Sequence, residues 1–226
     1  MSGPLRPSVT LKLATSLDGR IALATGESRW ITGPESRAEV HRMRAAHDAV
    51  VTGIGTVLAD DPQLTARTGD PSAPQPLRVV LDTTGRCPSA AALLRADARA
   101  PLVITGQGRA APEAVARLAA AGFAVGQVPV EAQSGRVDVA QALALLARDH
   151  GCASVMVEAG AAIAGAVLRA GLVDRVVWFR APLLLGADAR PVSEALGHRQ
   201  LADVPRWRLA GIQQTGADLM ETWDLR

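Results

Sequence analysis

The sequence predicts an α/β fold in three layers: a mostly parallel central sheet, helices on both faces and a C-terminal antiparallel hairpin, in one domain spanning 1–226. Two observations carry this reading. Apolar segments of strand length alternate with helical patterns along almost all of the 226 residues, and strands joined through helices pair in parallel. The last two apolar segments read as a closing pair, which belongs antiparallel at a sheet edge.

Taken in order, residues 9–14 alternate apolar and polar with the period of a half-buried strand. Thr32-Gly33-Pro34-Glu35 reads as a capping box with an early proline, opening a helix to about His47. Residues 49–52 form an apolar strand that ends in a glycine turn, Gly53-Ile54-Gly55, and 78–81 and 102–105 repeat the pattern. A helix over 112–121 leads to a short strand at 123–128, and a second helix over 139–148 stops at Gly151. The strand 154–158 runs through Ala159-Gly160 into a helix of small residues, 161–170. Residues 176–179 are a strand, and 207–212 with 219–223 form the hairpin. The loop 68–76 is too short to link domains, and no internal repeat is visible.

Composition removes several classes of function. With 48% hydrophobic and 20% charged residues, a core can be buried and bulk disorder is ruled out. The 24 basic and 22 acidic side chains are dispersed, so no stripe for nucleic acid stands out. No apolar run approaches the ~20 residues that span a bilayer, and the N-terminal residues have no signal-peptide core; a cytoplasmic protein is expected. Two cysteines, Cys87 and Cys152, are too few for a disulfide framework or a four-cysteine zinc site. The chain has no tyrosine, which excludes a Tyr-x-x-x-Lys dehydrogenase. His41, His47, His150 and His198 lack metal-ligand spacing, so no metal is expected; His41 and His47, on a charged helix, are expected to be solvated. A G-x-S-x-G nucleophile elbow is also missing. Every basic residue but Lys12 is arginine. A lysine supplies a compact point charge or a proton that a guanidinium does not; chance survival at a strand edge is the other reading.

Ligands of open α/β sheets bind at the carboxyl ends of strands. Four junctions there carry polar or glycine-rich sequence: 16–20 leading to 28–30, 53–56 followed by Asp60-Asp61-Pro62, 81–85, and 158–165. The last is the best anion site, because a glycine turn bares the amides of a helix N-terminus; tight packing of a small-residue helix is its rival. Glu158 ends an apolar strand, where burial is expected to raise its pKa. It reads as a general acid, a polar anchor for substrate, or a cap for the next turn. Arg44 and Arg67 are candidates for bidentate phosphate binding.

Together these segments form a recognisable set. The runs 12–19 (Lys-Leu-Ala-Thr-Ser-Leu-Asp-Gly), 26–33 (Gly-Glu-Ser-Arg-Trp-Ile-Thr-Gly) and 55–67 (Gly-Thr-Val-Leu-Ala-Asp-Asp-Pro-Gln-Leu-Thr-x-Arg) closely resemble the reductase domain of the riboflavin-biosynthesis deaminase/reductase, the RibD C-terminal family. The resemblance resumes at 78–82, 157–165, 170–174 and 181–186, covering nearly the whole chain. It implies a dihydrofolate reductase-like fold, a homodimer, and NADPH-dependent reduction of the ribosyl group of 5-amino-6-(5-phosphoribosylamino)uracil, or its 2,5-diamino relative, to a ribityl group. By motif, Ser28, Arg44, Leu64, Arg67 and Glu158 would meet this phosphoribosyl substrate, with Arg44 and Arg67 on its 5-phosphate. Ala14, Trp30, Thr56, Asp60, Thr83 and the turn Gly160, Ala161, Ala162, Ile163, Ala164, Gly165, Ala166 would meet the cofactor. Glu158, Lys12 and Asp60 are the candidates for moving protons.

Two departures from the family stand out. Ala159 replaces the usual first glycine of Glu-Gly-Gly, which would cost on the order of 1 kcal/mol if that position needed positive φ. The deaminase motifs of bifunctional members are missing, so the chain resembles a stand-alone reductase. Alternatives are a reductase of the same fold acting on a pterin, folate or other secondary metabolite, and a catalytically silent nucleotide-binding protein. Arg29, Arg86 and Arg109 are open candidates for the 2′-phosphate that separates NADPH from NADH.

Overall fold

A computed structural model describes residues 6–95 and 99–226. Nine strands form one sheet among them. In chain order these begin with β1 (Ser8–Thr15), after which a short β2 (Arg20–Ala22) stands outside the main sheet. Next come α1 (Pro34–Ala45), β3 (Ala49–Gly53), α2 (Ile54–Asp60), β4 (Leu77–Leu81), β5 (Leu102–Gly106), α3 (Pro112–Ala120) and β6 (Ala124–Val128). The chain continues through α4 (Val139–His150), β7 (Ser154–Val157), α5 (Ala161–Arg169) and β8 (Arg175–Arg180). A two-residue β9 (Arg190–Pro191) pairs with β2, and β10 (Trp207–Thr215) and β11 (Asp218–Leu225) form the hairpin.

The sheet runs β10-β11-β8-β1-β7-β3-β4-β5-β6, and β11 alone opposes the other strands. The central strands are apolar on both sides because both sides are covered. Leu11, Leu13, Val51, Val79 and Ile104 pack with Leu146 of α4 and Val167 of α5. On the other face Val50, Val80, Val103 and Met156 pack with Val40 of α1, Val57 of α2 and Leu118 of α3. The expected three layers, parallel centre and antiparallel edge are all present. No described helix is long and apolar enough to cross a membrane, and both cysteines are buried and free.

Three local expectations need correction. Gly53-Ile54-Gly55 is not a simple turn: Gly53 is the N-cap of α2, so the helix starts where the strand stops. The capping box at Thr32 does not form. Gly33 is the N-cap of α1, and Asp218 of β11 accepts from the Gly33 amide at 2.7 Å and the Ser36 hydroxyl at 2.6 Å. A carboxylate there also complements the positive end of the helix dipole. Finally, His41 and His47 are half-buried rather than solvated: His47 bridges the Met43 carbonyl at 2.7 Å and the Thr10 hydroxyl at 3.0 Å, tying α1 to the sheet.

Candidate active site

Two helices open side by side at the carboxyl ends of the neighbouring strands β3 and β7. Neither α2 nor α5 has a side-chain cap at its N-terminus, so the first-turn amides are unsatisfied donors with the helix dipole behind them. The absence of a side chain at Gly53 holds them close: a Cβ there would lie 2.6 Å from Ile163 Cδ1 of α5. The N-cap Gly160 has φ −73°, and a Cβ on it would meet nothing within 4 Å. Ala159 is not among the described residues with positive φ, so alanine fits this turn without strain. Small side chains and open space shape the junction as a cradle of bare amides, the kind of place that suits an anion.

Beside the cradle lies a compact charged network. Lys12 projects from β1 and Glu158 follows β7, while Arg44 comes from the last turn of α1. Lys12 Nζ is 3.5 Å from Glu158 Oε1. Arg44 grips the same carboxylate in a fork, Nη2 to Oε1 at 2.8 Å and Nε to Oε2 at 3.0 Å. The three side chains are only 14%, 18% and 10% exposed, in the order Lys12, Glu158, Arg44. Burial pushes the Glu158 pKa up, but the charges of Lys12 and Arg44 and their hydrogen bonds outweigh it, leaving the carboxyl at about 2. This reverses the expectation of a raised pKa. The apolar strand before Glu158 gave no sign of two cations arriving from β1 and α1. At neutral pH Glu158 is an acceptor, not an acid.

Arg44 also donates from Nη1 to the Thr65 carbonyl at 3.1 Å, so its buried guanidinium is committed within the protein. Arg67 is exposed, its Nη1 resting on Gln63 Oε1 at 3.2 Å and Thr65 Oγ1 at 3.1 Å. Burial first, then the charge of Arg44, lowers the Arg67 pKa. An anion placed there would relieve this repulsion. His41, whose pKa is lowered by burial and by Arg44 and Arg67, accepts from the Arg67 amide at 3.2 Å and steadies the segment. Leu64 is 2% exposed with φ 55°; its side chain is anchored in the core while the chain turns to bring Arg67 to the surface.

The remaining predicted positions spread along the same end of the sheet. Ala14 lies two residues beyond Lys12 on β1, Ser28 is half-buried, and Thr56 is in the first turn of α2. Trp30 is 68% exposed, with the Arg37 guanidinium 4.5 Å from its ring centre. Asp60 is held by Arg29, whose Nη2 donates to its carbonyl at 2.6 Å and lies 3.4 Å from Oδ1, and it has no bond to Lys12 or Glu158. Thr83 follows β4, its Oγ1 accepting from the Val137 amide at 3.1 Å. In the α5 turn, Gly160, Ala161, Ala162 and Ile163 are half-buried at the opening, as is Ala166 further along. Ala164 is fully buried in the core, and a Cβ on Gly165 would crowd the Glu194 amide at 3.1 Å, so both serve packing. Asp18, in the first of the four junctions, has a structural role that the sequence did not indicate: its carboxylate accepts from Ser16 Oγ at 2.6 Å and the Leu185 and Gly186 amides at 3.1 and 2.8 Å. That clasp joins two of the resembling motifs, 12–19 and 181–186, whose common presence was the available signal.

Strand order, reversed edge strand and ligand-ready junctions are those of a dihydrofolate reductase-like α/β protein. The chain belongs to the RibD C-terminal domain family, whose model matches residues 7–220. It is 38% identical over 227 residues to the 2,5-diamino-6-ribosylamino-4(3H)-pyrimidinone 5′-phosphate reductase of Methanothermobacter thermautotrophicus, covering 98% of this chain and 100% of that protein. It is 35% identical over 225 residues to riboflavin biosynthesis protein RibD of Escherichia coli, covering 94% of this chain but only 58% of the relative. Among solved structures, Acinetobacter baumannii RibD superposes with a TM-score of 0.80 at 33% identity, covering 98% of this chain and 58% of that one. The chain therefore spans rather more than half the length of these RibD proteins.

Proposed function

We propose that this protein is an NADPH-dependent reductase that converts the ribosyl group of 5-amino-6-(5-phosphoribosylamino)uracil, or its 2,5-diamino counterpart, to the ribityl group. The observation that carries the reading is the Lys12–Glu158–Arg44 network. It sets one ionised acceptor and one ammonium donor side by side, at the mouth of a phosphate cradle. The likeness to the archaeal reductase over its whole length supports the same reading.

The residues present fit a nicotinamide dinucleotide. Two uncapped helix N-termini on adjacent strands suit its pyrophosphate, with Thr56 and residues 160–163 around it. Ala14 is small enough to admit a flat ring beside Lys12, and Trp30 offers an exposed face at the rim. When bound, the cofactor supplies the hydride that reduces C1′ of the sugar.

The chain's own work is to hold the phosphosugar and manage its protons. Arg67 binds the 5-phosphate, and Arg44 acts chiefly by fixing Glu158 in position. To open the ribose, the C1′–O4′ bond must break and O4′ must gain a proton, while the exocyclic nitrogen keeps its own, so that C1′=N forms as an iminium that becomes a neutral amine on reduction. Lys12 donates to O4′, because an ammonium carries protons and the neighbouring carboxylate does not. Glu158 accepts a hydrogen bond from the nitrogen or from a sugar hydroxyl and balances the iminium charge, its ionised state kept by two cations. Asp60 serves the cofactor side through Arg29. Excluding water from this half-buried corner strengthens each of these interactions.

We further infer a homodimer acting in the cytoplasm, tested by light scattering on the purified chain. The test of the function is NADPH oxidation with the deaminated and non-deaminated phosphoribosylaminopyrimidines side by side. Turnover of at least one supports the proposal; turnover of neither, with folded protein, overturns it.

A further inference from the structure

The arginines left open by the sequence separate clearly in space. Arg29 is held by Asp60. The charge of Arg86 falls beside the buried Asp82, whose carboxylate it favours. Arg109 is different. It follows β5 in a tight turn, its amide donating to the Gly106 carbonyl at 3.0 Å, and no described carboxylate or acceptor holds its exposed guanidinium. The neighbouring cation, Arg136, is paired with Glu194 at 3.0 Å.

The stem of Arg109 crosses Gly106. A Cβ on that glycine would lie 3.2 Å from Arg109 Cγ, 3.1 Å from Thr83 Cγ2 and 2.6 Å from Val130 Cγ1, so only glycine lets these residues meet. The head reaches Gly135, where a Cβ would lie 3.4 Å from Arg109 Nη2. Because Thr83 Oγ1 already accepts from the Val137 amide, its hydroxyl hydrogen is left for another acceptor. An unclaimed guanidinium thus adjoins a hydroxyl donor at the carboxyl ends of β4 and β5.

That place has a meaning along the sheet. The proton-handling pair sits at β1 and β7, the bare helix N-termini at β7 and β3, and this pair at β4 and β5. At ~4.8 Å per strand, β5 lies about 19 Å from β1, a span suited to an extended dinucleotide. The strand order matches the order of nicotinamide, pyrophosphate and adenosine ribose. We propose that Arg109, assisted by Thr83, binds the 2′-phosphate of NADPH and is the residue that selects it over NADH. A guanidinium is the side chain best matched to a phosphate dianion. This rests on the reductase reading above.

The test uses the full chain with Arg109→Gln and, as a comparison, Arg86→Gln. Calorimetric titration with 2′,5′-ADP and 5′-AMP needs no turnover. Arg109→Gln weakens 2′,5′-ADP by about 10- to 100-fold and leaves 5′-AMP unchanged, and the NADPH-to-NADH ratio of kcat/KM falls by a similar factor. Arg86→Gln changes neither. An Arg109→Gln protein that keeps its preference for 2′,5′-ADP, or a loss of that preference in Arg86→Gln, overturns the assignment while leaving the reductase intact. A wild-type protein that binds neither nucleotide overturns the reductase reading, and this one with it.

Discussion

Replacing Glu158 by glutamine tests the electrostatic heart of the site. The change keeps size and shape but leaves Lys12 and Arg44, both mostly buried, without their counter-charge. The carboxyl is held at about 2 against an ordinary value of 4.5. At about 1.4 kcal/mol per pH unit, that difference corresponds to about 3 kcal/mol of stability. The sign follows from the depressed pKa: the contribution is complete above pH 4.5 and is lost as pH falls towards 2. At pH 3 the same arithmetic leaves roughly half of that. Urea unfolding followed by tryptophan fluorescence, on wild type and Glu158→Gln from pH 7 to pH 3, reads this directly. Other carboxylates titrate too, but they cancel in the difference between the two proteins. The gap should therefore be about 3 kcal/mol at pH 7 and shrink by roughly half at pH 3. A gap that is small at pH 7, or that does not narrow with acid, would falsify the account of Glu158 as a carboxylate held ionised by two cations.

The other predictions follow from single contacts. Arg67→Ala raises the substrate KM at least ~10-fold, as loss of a charge-assisted phosphate contact implies, while NADPH affinity measured by fluorescence titration stays; equal loss of both refutes it. Lys12→Arg abolishes turnover in steady-state assays while the circular dichroism of the folded protein is unchanged, since a guanidinium cannot release the proton the ammonium gives; an active variant refutes the donor role. Asp218→Ala removes the acceptor for the Gly33 amide and Ser36 hydroxyl and lowers stability by about 1–2 kcal/mol, seen as a lower urea midpoint. Gly53→Ala forces a Cβ against Ile163 and costs roughly 1–3 kcal/mol, whereas Gly160→Ala, with open space around it, leaves the melting temperature unchanged; equal effects of the two would count against the packing argument.

The strands and long helices were legible because their signals are local. Residues 49–53, 77–81 and 102–106 are largely apolar runs, interrupted only by Thr52, Arg78 and Thr105 and ending in part on glycine, and a parallel sheet covered on both faces produces that pattern. The helix α2 escaped notice because it is seven residues long and opens on Gly53-Ile54-Gly55, which reads as punctuation. The partners of Glu158 were invisible for another reason. Lys12 is 146 positions away and Arg44 is 114, and no window-based pattern relates such distances to a pKa. The same holds for Asp218 and the start of α1, 185 positions apart. Motif resemblance supplied the candidate positions; the three-dimensional arrangement separated their surroundings. It committed Arg44 to Glu158, left Arg67 exposed, and put Ala164 and Gly165 into packing.

The first strand of the chain lies in the middle of the sheet, between β7 and β8, with Ser8 beside Ser154 and Thr10 beside Arg175. On the ribosome, β1 therefore emerges long before either neighbour exists. Until β7 and β8 have been made, its apolar edges have nothing to pair with, and Lys12 has no carboxylate to meet. Topology of this kind favours slow, late consolidation, and the nascent chain must be kept from aggregating in the meantime. The proposed site is thus assembled only in the event that seats β1 between β7 and β8.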